Sequence, residues 1–481
     1  MVRSLRSFLV VVLILSLLLT PLSALPVRKS RRWLPTPTPL VVPVLHSAHH
    51  RREVLVKFRA SAAETLRADV RRSYGVAGTE RLTPSSEVER FQLAPEQDVA
   101  TALAELQQMS AVIEWAEPNY LVEAATKERK REGEQAGRRG RDGKNERSPS
   151  RSVAPSPRRA VRPTPLVAVI DTGISMTHPK LRTRLTDGWN VLTDSSVTND
   201  DNGHGTQMAG IIAQVNPTAR LLPLKALDAD GVGTIAAVVA AMDRAVAEQA
   251  QVILYSFGTD GASQALREAI QRAERAGVVV VTAAGNDGQD LAKAPQYPAA
   301  FNELNLLTVA AVNAQREWAD FSNYGTTVQL AAPGVDVRTT NRPHTYTRIS
   351  GTSASAAYVA GVASRLKAVR PWVSAPTIKQ SLLQGAQLLP SLKGKVSAGM
   401  PRGCSAAEIA ANTIAVVTTA SVAYAAEAVH STKCPLPSAI AVRTGLKPNA
   451  PARIAGSAAP IPQATSNPTK EPSRAATNAT R

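Results

Sequence analysis

The chain has 481 residues, 44% of them hydrophobic, and carries 56 Lys+Arg against 38 Asp+Glu, a formal charge of +18. That length is enough for two or three domains. The basic excess would suit a polyanion partner if it were evenly spread, but much of it lies in one low-complexity stretch, so a specific nucleic-acid partner is not expected.

Residues 1–25 carry Arg3 and Arg6, an uninterrupted apolar run from Phe8 to Leu19, then Pro21, Ser23 and Ala24. This is the pattern of a secretory signal peptide. The run is too short for a comfortable membrane span, although Leu22 departs from the small-residue cleavage pattern and leaves an uncleaved anchor as the alternative. Residues 26–52 are rich in Pro, Arg and His without an apolar period and read as a linker, with no metal site expected from His46, His49 and His50. Residues 53–125 read as a small α+β domain. Strands are expected at 54–58 and 88–93, helices at 62–74 and 99–109, and a closing segment at 112–120 that ends Glu117-Pro118-Asn119-Tyr120. Residues 126–164 are charged and rich in Gly, Ser and Pro, with Arg138, Arg139, Arg141, Arg158, Arg159 and Arg162. No apolar spacing recurs there, so a disordered, protease-sensitive linker is expected, with attachment to an anionic surface as a second reading.

From residue 165 to about 400 short apolar runs alternate with helical patterns: Leu166–Ile170, 220–227, a helix at 235–250, 252–255, a helix at 263–276, 278–281, 306–312, 328–332, and helices after Gly351 and at 375–384. Such alternation indicates an α/β fold, a parallel sheet with helices on both faces. Three places in this region carry chemistry. The first apolar run delivers Asp171-Thr172-Gly173 at its C-terminal edge, where open α/β sheets place their sites. Asn202-Gly203-His204-Gly205-Thr206 presents an imidazole at the start of a helix. Gly351-Thr352-Ser353 sets a hydroxyl among small residues at the N-terminus of another, beside backbone N–H groups that can hold an oxyanion. Singly, each has an ordinary reading as a cap or a core residue. Together, in the order Asp, His, Ser, they follow one of the known chain orders of the serine-protease triad.

With Val169-Ile170-Asp171-Thr172-Gly173, His204-Gly205-Thr206-x-x-Ala209-Gly210, Ala283-Ala284-Gly285-Asn286 and Gly351-Thr352-Ser353 all present, the chain resembles the subtilisin-like serine proteases from about Pro165 to Leu392. The resemblance implies a secreted serine endopeptidase with Asp171, His204 and Ser353 as triad and Asn286 completing the oxyanion hole. It implies that Tyr255-Ser256-Phe257-Gly258 and Gly231-Val232-Gly233 bind the substrate as an added β-strand, and that Ala283, Ala284 and Gly285 border the pocket before the scissile bond. Residues 53–125 then resemble the inhibitor-type propeptide of these enzymes, whose C-terminal segment lies in the substrate groove until cut. Protein or peptide substrates and the chain's own propeptide are the partners implied. No cofactor is expected.

The chain also departs from the family pattern. Gln207 replaces a frequent second histidine, Phe257 a common leucine, and Ala354-Ser355-Ala356-Ala357 the usual Met-Ala-Ala-Pro. The short helix that usually precedes the Asp strand has no counterpart. Lys180 stands where many relatives carry a calcium-binding aspartate, and an ammonium opposes a divalent cation, so calcium is not expected at that place and no metal ligands are assigned. Residues 401–481 form an extension: 406–428 are expected to make a docked helix and the remainder a flexible tail. Its two cysteines, Cys404 and Cys434, are the only ones in the chain, and export would let them pair. The bridge would close a loop of about 30 residues, worth roughly 3–4 kcal/mol. Two other functions remain open on these grounds, an inactive binding protein of the same fold and a polyanion-binding surface protein.

Overall fold

The computed structural model describes residues 42–43, 45–75, 81–124 and 164–401. The expected signal peptide, the Arg-rich linker, the 406–428 helix and the Cys404–Cys434 bridge lie outside the described residues.

The N-terminal unit is built on strand β1 (His49–Phe58), which pairs antiparallel with β2 (Val88–Gln92) and with β3 (Ile113–Ala124). Helices α1 (Glu64–Ser73) and α2 (Val99–Gln108) join this sheet, and the Asp98 side chain caps α2 by accepting from Thr101 N at 2.9 Å. The near-continuous apolar run of β1 has a direct cause. Val54, Val56 and Phe58 enter a core with Phe91, Leu103 and Leu106, while Leu55 points the other way into the core of the larger unit. Both faces of the strand are covered, so neither face can be polar. Arg71 of α1, buried, is held by Glu89 of β2 through two hydrogen bonds of 2.8 Å. The strand begins at His49, inside the stretch read as linker.

The larger unit centres on a seven-stranded parallel sheet ordered β12-β11-β10-β8-β4-β6-β5. Its strands are β4 (Leu166–Asp171), β5 (Trp189–Asn190), β6 (Arg220–Lys225), β8 (Val252–Tyr255), β10 (Val279–Ala283), β11 (Leu306–Val312) and β12 (Leu330–Pro333). Successive residues of β4 again go to opposite cores. Val167 and Val169 pack with α3 (His204–Val215), α6 (Thr352–Val369) and α7 (Ala375–Gln384); Ala168 and Ile170 pack with α4 (Ile235–Ala247) and α5 (Gln264–Arg275). The chain moves from β4 to β6 on one side and returns to β8 on the other. The switch point of the sheet therefore lies between the C-terminal ends of β4 and β8, where open α/β sheets hold their ligands.

Three further features position the site. A hairpin of β13 (Val337–Asn341) and β14 (Thr345–Ile349) lies over the start of α3, where Thr339 Oγ1 and Thr340 Oγ1 donate to the carbonyls of Gln207 and Thr206 at 2.6 and 2.7 Å. A small pair, β15 (Ala386–Gln387) and β16 (Met400–Pro401), closes the described chain. The short strands β7 (Val232–Thr234) and β9 (Phe257–Gly258) both pair antiparallel with the end of β3: Val122 lies opposite Gly233, Glu123 opposite Val232 and Gly258, and Ala124 opposite Phe257. A single five-stranded sheet thus runs from the N-terminal unit onto the edge of the larger one.

Candidate active site

Asp171 is the last residue of β4 and is fully buried. Its carboxylate oxygens stand 2.8 and 2.9 Å from Nδ1 of His204, the first residue of α3. Two more donors hold the carboxylate, Thr172 N at 2.8 Å and Ser256 Oγ at 3.2 Å. With Nδ1–H donating to Asp171, the other nitrogen, Nε2, is left as the acceptor. It is buried and has no hydrogen-bond partner among the described residues. Burial disfavours an imidazolium here, but the Asp171 charge, the Nδ1 hydrogen bond and the nearby Asp200 outweigh it, and the pKa of His204 stands above its ordinary value. Such a close approach of helix and strand needs a glycine at position 205. A Cβ there would fall 2.0 Å from the carbonyl oxygen of Gly173.

Ser353 is the second residue of α6, also fully buried, and its Oγ donates to the carbonyl of Ser256 at 3.0 Å. Ser256 thus touches both Asp171 and Ser353. Asn286 follows β10, and its side-chain oxygen accepts from Thr352 N and Thr352 Oγ1, both at 2.9 Å. Thr352 Oγ1 in turn accepts from Gly285 N at 3.1 Å. The residue before Ser353 therefore ties the Ala283–Asn286 segment to the helix that carries the serine, a role that sequence reading missed. Beside it Gly285 has φ +102 and no room for a side chain, since a Cβ would lie 2.1 Å from Gln296 Oε1 and 2.2 Å from Asn323 Nδ2. Ala283 and Ala284 are buried.

The expected strand-binding residues divide. Gly231, Gly233, Phe257 and Gly258 flank β3; Ala124 N donates to the Gly231 carbonyl at 3.0 Å. Tyr255 does not flank it. It is the last residue of β8, paired between β4 and β10, and its buried ring packs on Phe257 at 4.1 Å between centroids. Among the described residues, Ser256 likewise serves Asp171 and Ser353 rather than β3.

The N-terminal unit grips the larger one through more than β3. Glu117 is buried and accepts from Ser263 Oγ at 2.6 Å, Gln264 N at 2.7 Å and Ala265 N at 3.2 Å, capping α5. Asn119 Oδ1 accepts from Ala236 N at 3.0 Å at the start of α4, and its Nδ2 donates to Glu53 at 2.6 Å. Lys57 Nζ and Trp115 Nε1 both donate to Glu268, each at 3.1 Å. The Tyr120 ring lies flat against Gly261, where a Cβ would meet it at 2.4 Å. The Glu-Pro-Asn-Tyr segment, legible in the sequence only as a family ending, thus sets Glu117, Asn119 and Tyr120 each against the partner unit, with Asn119 also tied to Glu53.

Lys180, the residue expected to oppose calcium, is exposed, and its backbone N–H donates to His178 Nδ1 at 3.2 Å. Among the described residues no group of three or more His, Cys, Asp or Glu could hold a metal ion.

Residues 163–424 match the family model described as the subtilase family, and residues 40–119 match that of the fervidolysin N-terminal prodomain. Similar curated proteins include a thermostable alkaline protease of Halalkalibacterium halodurans, 37% identical over 239 residues that cover 47% of this chain and 64% of the relative. Subtilisin DY of Bacillus licheniformis is 34% identical over 226 residues, 45% of this chain and 81% of that one. Thermitase of Thermoactinomyces vulgaris is 37% identical over 210 residues, 42% of this chain and 74% of that one. The chain therefore spans just under two thirds of the alkaline protease and most of the other two.

Proposed function

The chain belongs to the subtilase family of serine endopeptidases, and on that premise we propose that it is a secreted endopeptidase made as a self-processing zymogen. The observation that supports the proposal is the pairing of His204 Nδ1 with Asp171 at 2.8 Å, which leaves Nε2 as the ring nitrogen able to accept a proton, and the triad reading takes that proton from Ser353. In the reaction, the Ser353 hydroxyl turns from the Ser256 carbonyl to Nε2, gives up its proton there and attacks the substrate carbonyl carbon. The oxyanion receives hydrogen bonds from the Asn286 side-chain amide and the Ser353 backbone N–H. Collapse of the tetrahedral intermediate expels the amine, which takes the proton from Nε2. Water, activated by the same nitrogen, then hydrolyses the acyl-enzyme. Asp171 holds the tautomer and stabilises the imidazolium. Asn286 is kept in orientation by Thr352.

The N-terminal unit acts as propeptide and inhibitor. Its β3 occupies the groove between β7 and β9 through Ala124, which favours a first cut beyond Ala124 and before Pro165, made by Ser353 itself. The signal-peptide pattern of residues 1–25 supports export, and the Arg-rich 126–164 stretch supports attachment to anionic surfaces, which salt-dependent retention on heparin tests. Labelling by a fluorophosphonate, present in wild type and absent in folded Ser353→Ala, tests the nucleophile. N-terminal sequencing of the two forms tests self-processing: trimming of Ser353→Ala at the wild-type rate in a protease-free preparation refutes it.

A further inference from the structure

The loop ahead of α3 carries a second buried carboxylate, Asp200, that is only 1% exposed. Its Oδ1 accepts from Thr172 Oγ1 at 2.9 Å, Gly203 N at 2.7 Å and Asn202 N at 3.1 Å. Its Oδ2 accepts from Thr206 N at 2.9 Å and Thr206 Oγ1 at 2.5 Å. Five donors thus converge on one carboxylate and fix its orientation.

What these donors belong to is the informative part. Position 203, the N-cap of α3, is a glycine with no side chain to cap the helix. Asp200 does that work from three residues upstream, on the first turn of the helix that starts with His204. Thr172 is the neighbour of Asp171. Its hydroxyl accepts from Gly205 N at 3.0 Å and donates to Asp200 at 2.9 Å, with Asp171 Oδ1 a longer alternative at 3.3 Å. One carboxylate thus joins the end of β4, which carries Asp171, to the start of α3, which carries His204. The hairpin β13–β14 holds the loop itself, because Arg342 Nη1 donates to the Asp200 carbonyl at 2.8 Å.

We propose that Asp200 is a positioning residue for catalysis, setting His204 against Asp171 and supplying a fixed negative charge that stabilises the imidazolium formed when Ser353 gives up its proton. The proposal rests on the triad reading above. Other charges near the ring do not duplicate this role. Asp171 is the direct partner on β4. Asp201 is paired with Lys225 of β6 at 2.7 Å, and Lys225 also donates to the carbonyls of Thr172 and Leu227 at 2.8 and 2.9 Å. Arg342 is positive and opposes Asp200's effect. The first half of α6, from Thr352 to Ser364, has no charged residue, and Glu123 of β3 departs with the propeptide. The raised pKa of His204 agrees with a contribution from Asp200.

The test is the pH profile of kcat and kcat/KM on an oligopeptide anilide, with mature wild-type enzyme and two variants. Asp200→Asn removes the charge and should lower kcat about tenfold or more, with KM within twofold, and move the acid limb of the profile down by roughly half to one pH unit. Thr172→Val keeps both carboxylates but cuts the tie between strand and helix; it should lower kcat with the acid limb unmoved. Folded Asp200→Asn with an acid limb within 0.2 and kcat within about twofold of wild type overturns the proposal. If Asp200→Asn does not fold, wild-type kcat in Thr172→Val overturns it alone. Activity in wild type that Ser353→Ala abolishes secures the reading beneath; its persistence in Ser353→Ala sinks that reading instead.

Discussion

Glu117 makes docking of the N-terminal unit depend on pH. Burial pushes its carboxyl up to about 7 from an ordinary 4.5, against the pull of Ser263 Oγ, Gln264 N and Ala265 N, with Glu268 adding repulsion. Glu268 is itself engaged by Lys57 and Trp115. Once the propeptide leaves the groove, Glu117 returns to water and to a carboxyl of ordinary strength. Docking therefore takes up a proton between pH 4.5 and 7. The stabilisation due to protonation is fully present below the free value and is lost as pH rises through the docked one. A group titrating near 4.5 when free and near 7 when docked makes docking roughly 70-fold tighter at pH 5 than at pH 8, on the order of 2–3 kcal/mol. The zymogen should hold at acid pH and open at alkaline pH. Ser353→Ala protein nicked by trypsin in the Arg-rich 126–164 stretch gives a non-covalent complex of the two units, and Trp115, which donates to Glu268 across the contact, reports its dissociation by fluorescence. Glu117→Gln cannot titrate, so its dissociation constant should be nearly flat from pH 5 to 8 and no weaker than wild type at pH 8. Wild-type docking as tight at pH 8 as at pH 5, or an unchanged pH trend in Glu117→Gln, would refute the reasoning.

Asn286→Ala should leave KM within about threefold and lower kcat by about 10²–10³, the loss that removal of the oxyanion-hole asparagine causes in subtilisin; steady-state kinetics on a peptide anilide checks it. Gly261→Ala should force the Tyr120 ring to move and weaken propeptide docking by about 1–3 kcal/mol, roughly tenfold or more. In the mature enzyme the same change should alter kcat/KM less than twofold, so comparing the two forms isolates the contact. Chelation should shift the melting temperature of the mature enzyme by less than about 10 °C, and a larger drop would locate a calcium site elsewhere than at Lys180.

The parts of the fold readable in the sequence are those whose signal is local. Leu166–Ile170, 252–255 and 278–281 are apolar at every position because helices cover both faces of the sheet, and such runs stand out without knowledge of neighbours. The strands β7 and β9 carry no signal in periodicity or composition, and only the family resemblance points to their residues. Their residues, Val232-Gly233-Thr234 and Phe257-Gly258, become strands by pairing with β3, more than 100 positions away in the chain. The same cause hid the last third of β3, read as ending at Tyr120 although it continues to Ala124. The hairpin β13–β14 was missed because Thr339 and Thr340 face a helix through hydroxyls rather than apolar groups. The site divides in the same way. Asp171, His204, Asn286 and Ser353 sit in recognisable sequence contexts. Asp200, Thr172 and Thr352 are ordinary polar residues whose partners, 28 to 67 positions distant for the contacts that matter, only folding reveals. Tyr255 is not paired with β3 among the described residues, because chain adjacency to Phe257 does not decide which sheet a backbone joins.

The sheet shared by the two units bears on turnover as well as on latency. When β3 departs, β7 and β9 are left as two facing edges with unpaired backbone groups, and any extended chain that enters regains those hydrogen bonds. The fragment on the N-terminal side of a cut keeps them after the chemistry is over. Under the proposed self-processing, the N-terminal unit would be a product that stays, held by Glu117, Asn119 and Lys57 in addition to its strand, whereas an ordinary product has the strand alone. Residence time, more than reactivity, separates inhibitor from substrate here. It also follows that peptides resembling the end of β3 should slow the enzyme as they accumulate, so digests run to high conversion should decelerate before substrate is exhausted.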